Sequence, residues 1–184
     1  MAEYYLMSQL PSLDGVGENT PLPITEERFS ELCHRFLSKK AQSQLDSLTL
    51  LPPKTFEKSS SSFKNHWNEG ERKLRLALCK TRADKMKKSY DCGNIDLPSE
   101  LMQTARTAVE MESPLDAEVF LNNFRLKFLE IIRPMDTFSE DSVFYYGLKL
   151  KLLLRIRGFD EEKGKLEYKN IYNSILNGDR LEAE

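Results

Sequence analysis

The stretch from Phe138 to Gly164, FSEDSVFYYGLKLKLLLRIRGFDEEKG, constrains the fold more than any other part of the chain. Between Val143 and Ile156 its apolar residues fall on every side of a helical wheel, so a helix here must be covered all round. Lys149, Lys151, Arg155 and Arg157 interrupt the run, far short of the roughly 20 apolar residues that a membrane span requires. The cover is therefore protein, and the stretch reads as the central helix, residues 139–157, of an all-α bundle.

A chain of 184 residues can bury about 70% of the surface that it exposes when unfolded. Its 30% charged and 40% hydrophobic residues suit a globular, helix-tolerant chain and not a disordered one. The net charge of −2 gives no global argument for nucleic acid, but the charges are uneven. Residues 1–31 carry six carboxylates against Arg28, whereas residues 63–88 carry nine Lys or Arg against Glu69, Glu71 and Asp84. Cys33, Cys79 and Cys92 are widely spaced with no CxxC, which suggests neither a disulfide framework nor a zinc ribbon and fits a reducing compartment. The start, MAEYYLMSQLPSL, lacks the basic segment and long apolar run of a secretory signal, and no stretch reads as a transmembrane span, so any membrane role is expected to be peripheral.

Tyr4-Tyr5-Leu6-Met7 with Leu10-Pro11 reads as a short extended segment docked on the body, followed by a loop from Ser12 to Pro23. Thr25 is a plausible N-cap, with Glu26 and Glu27 in the first turn and Ile24 stapling to Phe29. Phe29, Leu32, Cys33, Phe36 and Leu37 then keep helical spacing, which makes Cys33 a packed thiol. A shorter helix is expected from Gln42 to Leu51, ending at Pro52-Pro53. After the serine run 59–62 comes a basic amphipathic helix of about seven turns, Phe63 to Lys88. Phe63, Trp67, Gly70, Leu74, Ala77, Leu78 and Thr81 form its stripe, and Gly70 would admit another backbone.

Asp91, Gly93, Asn94 and Pro98 mark the clearest break, and two packed lobes, 1–92 and 93–184, are expected on either side of it. Ser99 is expected to cap a helix bearing Leu101, Ala105, Ala108 and Val109. Ser113-Pro114-Leu115-Asp116 then combines N-cap, N1 proline and an acidic N3 residue. The stripe after it, Ala117, Phe120, Leu121, Phe124, Phe128 and Ile131, reads as core. A last helix is capped by Asp160, buries Tyr168, Ile171, Tyr172 and Ile175, and ends at Asn177-Gly178. The sum is a bundle of about six to seven helices.

Motifs of chemistry are sparse. His34 and His66 are the only histidines, neither in a metal spacing, and Cys33-His34 point about 100° apart on a helix, a poor thiolate–base geometry. Asp14-Gly15-Val16-Gly17-Glu18 lacks the Lys-Ser/Thr of a P-loop. Acidic pairs such as Glu26-Glu27, Glu140-Asp141 and Glu161-Glu162 sit at helix starts, where the dipole explains them. No catalytic, cofactor-binding or metal residue is therefore expected. The basic helix turns its aromatics inward and has interrupted cations, an arrangement unlike a nucleic-acid surface.

Three segments carry a resemblance: Tyr4-Tyr5-Leu6 with Leu10-Pro11; Glu71-Arg72-Lys73-Leu74-Arg75 running on to Ala77-Leu78 and Arg82; and Tyr146-Gly147-Leu148-Lys149-Leu150 with Leu153-Leu154-Arg155 and Phe159-Asp160-Glu161-Glu162-Lys163-Gly164. Through them the chain resembles a bacterial family that accompanies the vacuolar/archaeal-type (V/A-type) ATPase and looks like the socket component of that machine, called C in the archaeal type and d in eukaryotes. Gly147 stands where that pattern suggests a small alanine, and the chain is much shorter than the three-lobed socket. The resemblance implies a non-catalytic peripheral part on the cytoplasmic face of the membrane, coupling the central stalk axle to the membrane ring of proteolipids. Arg72, Arg75, Arg82, Lys149 and Arg155 are the candidate partner contacts. The rival readings are a general helical adaptor for another acidic partner, and a small enzyme with a site around His66 or Cys79.

Overall fold

A computed structural model describes residues 2–16, 20–53, 58–91, 93, 95–159 and 161–181. Within them lie eight helices and no strand: α1 (Ala2–Gln9), α2 (Glu26–Phe36), α3 (Lys39–Asp46), α4 (Ser62–Lys85), α5 (Ser99–Glu110), α6 (Pro114–Ile131), α7 (Glu140–Arg157) and α8 (Glu161–Leu181). The all-α expectation holds, with more helices than the six or seven read from the sequence.

α7 is the axis of the molecule. Every residue from Ser142 to Leu150 is buried, together with Leu152 and Leu153, and α1, α2, α3, α4 and α6 all pack against it. Full cover on a helix that carries four cations is possible because each cation has an internal acceptor. Lys149 reaches Asp14 and Glu130, Lys151 donates to the Leu48 carbonyl at 2.9 Å, Arg155 meets Glu118 and Arg157 meets the Thr20 carbonyl. The long stems lie along apolar neighbours while the heads find oxygen.

The helix starts are set by local chemistry. Thr25, Ser38, Ser61, Ser113 and Ser139 each accept a backbone N–H of the first turn that follows, which satisfies a donor otherwise orphaned at the helix start. Ser61 is the last but one residue of the serine run, so that run is the entry to α4 and not a linker. Asp141 adds a tertiary cap: its carboxylate accepts the Phe63 N–H at 3.2 Å and the Ser61 hydroxyl at 2.5 Å. The first turn of α7 thus closes the N-terminus of α4.

Two apolar clusters fill the body. The larger holds Leu6, Phe29, Cys33, Leu48, Trp67, Leu129 and the buried side chains of α7. The smaller holds Leu74, Ala77, Leu78, Ala105, Ala108 and Leu121. Each takes residues from both sides of 92/93, because α4 and α6 run through both clusters. The break in composition at 89–98 is a connection and does not separate the cores.

Several local expectations need correction. Residues 2–9 are a helix and not an extended segment; Leu6 is its buried anchor, while Tyr4 and Tyr5 stay exposed and Tyr4 meets Phe138, ring centroids 4.7 Å apart. α3 begins and ends earlier than expected because Ser38 caps it, and Leu48 is buried beyond its end. Pro98, not Ser99, precedes α5. Gly70 admits a side chain and not a backbone: a Cβ there would lie 2.3 Å from Phe128 Cζ. α8 runs through Asn177-Gly178 to Leu181, and its expected edge of Tyr168, Ile171, Tyr172 and Ile175 is exposed. The expectations at Gly17, Asn19, Cys92, Asn94 and Asp160 lie outside the described residues.

Candidate contact surface

Of the five candidate contacts, three are paired with carboxylates of the same molecule. Arg75 donates through Nε to Glu71 Oε1 at 2.9 Å, and Arg155 meets Glu118. Lys149 is 7% exposed. Lys149 and Arg155 tie α7 to its neighbours, Arg75 pairs within α4, and each of the three has its charge matched inside the molecule.

Arg75 and Arg155 belong to a polar ladder between the two apolar clusters. Its centre is Glu71, 2% exposed, which takes a two-pronged bond from Arg125, 6% exposed. Arg125 Nε lies 3.0 Å from Glu71 Oε2 and Nη2 lies 3.1 Å from Oε1. Asn122 Oδ1 accepts from Arg125 Nη1 at 3.0 Å, and Glu118 stands 3.6 Å from the same nitrogen. Planar guanidinium against carboxylate fixes angle as well as distance, so α4 and α6 are locked in register. Asn122 Nδ2 and Arg155 Nε are the buried side-chain atoms left without a partner among the described residues. From the sequence, Glu71 reads only as an interruption among cations. The available signal was its place on the stripe, four residues after Trp67, and the place of Arg125 midway between Leu121 and Leu129.

Lys149 is the centre of a second cluster. Its Nζ lies 2.6 Å from Asp14 Oδ1, 2.7 Å from Glu130 Oε1 and 3.3 Å from the Tyr145 hydroxyl, which itself donates to Glu130 at 2.7 Å. The hydrogen bond from Lys149 holds the Asp14 carboxyl below its ordinary range. Burial pushes Glu130 upward, but the bonds from Lys149 and Tyr145 outweigh it and the net shift is downward. Burial likewise disfavours the Lys149 ammonium, and its three partners overcome that and raise it. Burial, helped by Glu130, pushes the Tyr145 phenol up to about 12. Close by, the Tyr146 hydroxyl donates to the Pro11 carbonyl at 2.8 Å. The loop before α2 is therefore pinned to α7 through Pro11 and Asp14.

Depressed carboxylates add stability above their unfolded values, near 4, and lose it as pH falls through the lower folded values; the raised ammonium adds stability below its unfolded value, near 10.4, and loses it above. Asp14 and Glu130 are about half exposed, so solvent screening limits the effect to about 1 kcal/mol or less. Lys149→Met is expected to flatten the loss of stability as pH falls from about 5 through and below the carboxylate range near 4, followed by urea midpoints at stepped pH. Parallel curves for the two proteins would contradict the clasp.

Arg72 and Arg82 remain. With Lys80, Lys87 and Lys88 they occupy the outer side and C-terminal end of α4, and none has an ion pair among the described residues. Arg82, Lys80, Lys87 and Lys88 are exposed and Arg72 is partly so. Lys85 in the same region donates to the Val109 carbonyl at 2.9 Å. This end of the helix is a cationic surface left over after internal pairing.

His66 and Cys79 are not brought together. Both are exposed on α4 and stand 13 positions apart, about 20 Å along the helix axis. His66 has the Ser62 hydroxyl at 3.5 Å. Cys33 is buried, and burial pushes its thiol up to about 12, the signature of an inert packed cysteine. No group of three or more potential metal ligands occurs among the described residues.

The α6 stripe departs from expectation most clearly. Leu121 is buried as read, but the rest of the buried face is Asn122, Arg125 and Leu129, about a third of a turn away from the phenylalanines. Phe120, Phe124 and Phe128 are only partly buried, and Ile131 is 79% exposed. With Leu74 of α4 and Leu101 of α5 they line an open apolar groove of about 680 Å³.

The segments that carry the family resemblance largely converge on structure: Leu6, Leu148 and Leu150 share the main core, Tyr146 bonds to Pro11, and Glu71 anchors the polar ladder. No family model, curated protein or solved structure matches this chain.

Proposed function

We propose that this protein is a non-catalytic peripheral component of a V/A-type ATPase, similar to the C/d-type socket, that passes mechanical load between the central stalk and the proteolipid ring. The observation that carries the reading is the exposed cationic end of α4, where Lys80, Arg82, Lys87 and Lys88 have no ion pair among the described residues, on a body whose buried charges Glu71, Arg125 and Lys149 are all paired internally. A body of that kind suits load transfer, since close-packed interiors have low compressibility, and its free cations suit a carboxylate-rich partner. The segments resembling the socket supply the choice of partner. No described helix is long and apolar enough to cross a membrane, so contact with the ring would be made from outside the bilayer.

The test is recovery of the ATPase catalytic subunits with the tagged, full-length chain from detergent-solubilised host membranes. They are expected to copurify at low salt and to be released at 1 M salt, where the screening length shrinks to about 3 Å. Arg72→Glu with Arg82→Glu is expected to lower recovery on the order of tenfold. Recovery of a different acidic protein in their place would support the general adaptor and overturn the ATPase assignment. Recovery unaffected by charge reversal would overturn the assigned surface.

A further inference from the structure

We propose that the apolar stripe of α8 docks into the α4–α5–α6 groove of a second copy of this chain, giving a twofold dimer in which each protomer lends its last helix to the other. Two unsatisfied surfaces of the same chain point to this. Every described side chain of α8, from Gly164 to Ile175, is exposed, and α8 packs extensively on no other helix. Yet the helix is amphipathic: Tyr168, Ile171, Tyr172 and Ile175 follow i, i+3, i+4, i+7 spacing on one face, and each is more than half exposed. Helices in proteins draw most of their stability from burying such a face. The second surface is the groove, walled by Phe120, Phe124, Phe128 and Ile131 on one side and Leu101 on the other.

Length and charge both fit. The stripe from Tyr168 to Ile175 runs about 10 Å, and the groove wall from Phe120 to Ile131 about 16 Å. Gly70 keeps the floor open by letting the Phe128 ring lie against α4. Glu100 stands on the α5 side of the groove and Lys127 on the α6 side. On α8, Lys169 flanks one edge of the stripe and Glu167 the other, so one orientation sets each against its opposite charge. Because the same two surfaces meet twice, the exchange closes on itself and builds no filament.

Light scattering during size-exclusion chromatography of the full chain over a dilution series tests this. The expected mass is twice the 21.3 kDa of one chain. Ile171→Glu is expected to give monomer whose far-ultraviolet circular dichroism falls by no more than the share of α8. Glu100→Lys is expected to weaken the dimer on the order of tenfold and Lys169→Glu to restore it, which keeps the test valid if the Ile171 variant folds poorly. With Cys79 and Cys92 replaced by serine, Leu101→Cys with Tyr172→Cys, the stripe residue beside Lys169, is expected to oxidise to a covalent dimer. A monomer at every concentration, a dimer indifferent to Ile171→Glu and to the charge exchange, or a disulfide formed within one chain would each overturn the proposal.

Discussion

Replacing Glu71 with alanine is expected to cost about 3–5 kcal/mol, a large share of the 5–15 kcal/mol by which a domain of this size is usually stable. The reason is not the strength of the pair itself. Glu71 and Arg125 were both taken out of water, and the attraction between them roughly offsets that desolvation. Removing the carboxylate leaves the Arg125 guanidinium buried with only Asn122 at 3.0 Å and Glu118 at 3.6 Å to receive it. The companion variant separates the two effects: Glu71→Leu with Arg125→Met is expected to recover most of the loss, because no charge is stranded. Urea unfolding at constant slope measures both, and the double-mutant cycle gives the coupling. A change within about 0.5 kcal/mol for Glu71→Ala would show that water reaches the ladder and that it contributes little.

The second large effect is expected on α7. Phe144→Ala should cost about 3–5 kcal/mol and Leu148→Ala about 2–5, since both side chains are fully enclosed and a cavity adds to the lost transfer energy. Phe144, Leu148 and Leu152 share one face at i, i+4, i+8 spacing while Leu150 is enclosed on the far side, so α7 is held from both sides and cannot shift to refill the void. Ile171→Ala on α8 should change the stability of a dilute, monomeric sample by no more than about 0.5 kcal/mol. Thermal or urea midpoints of the three variants at equal concentration check the contrast. Equal losses at Phe144 and Ile171 would mean that α8 belongs to the folded body.

The reading of α7 from sequence succeeded because apolar residues on all sides of one helix admit a single environment. The caps at Thr25 and Ser113 were legible for a similar reason: a hydroxyl before an amphipathic run has one main use there. What was not legible depended on partners distant in the chain. Lys149 and Arg155 look like surface cations until Asp14, Glu130 and Glu118 are brought beside them, and Glu71 looks like an interruption until Arg125 faces it. The phenylalanines of α6 keep helical spacing whether they fill a core or line a groove, and periodicity cannot distinguish the two. The same ambiguity misplaced the stripe of α8, whose pattern specifies a face to be covered but not what covers it. Residues 2–9 form a helix although Tyr4-Tyr5 favours a strand, and among its described side chains Leu6 alone is fully buried in the core beside α7.

Native-state hydrogen exchange tests the central claim most directly, the claim that α7 is the enclosed axis on which the other helices of the body depend. Amides from Phe144 to Leu153 are predicted to be the slowest in the chain and to open only with global unfolding, while those of α8 in dilute protein exchange with far lower protection. Protection of α7 that falls to the level of α8, or that is lost before the rest of the body unfolds, would contradict the account.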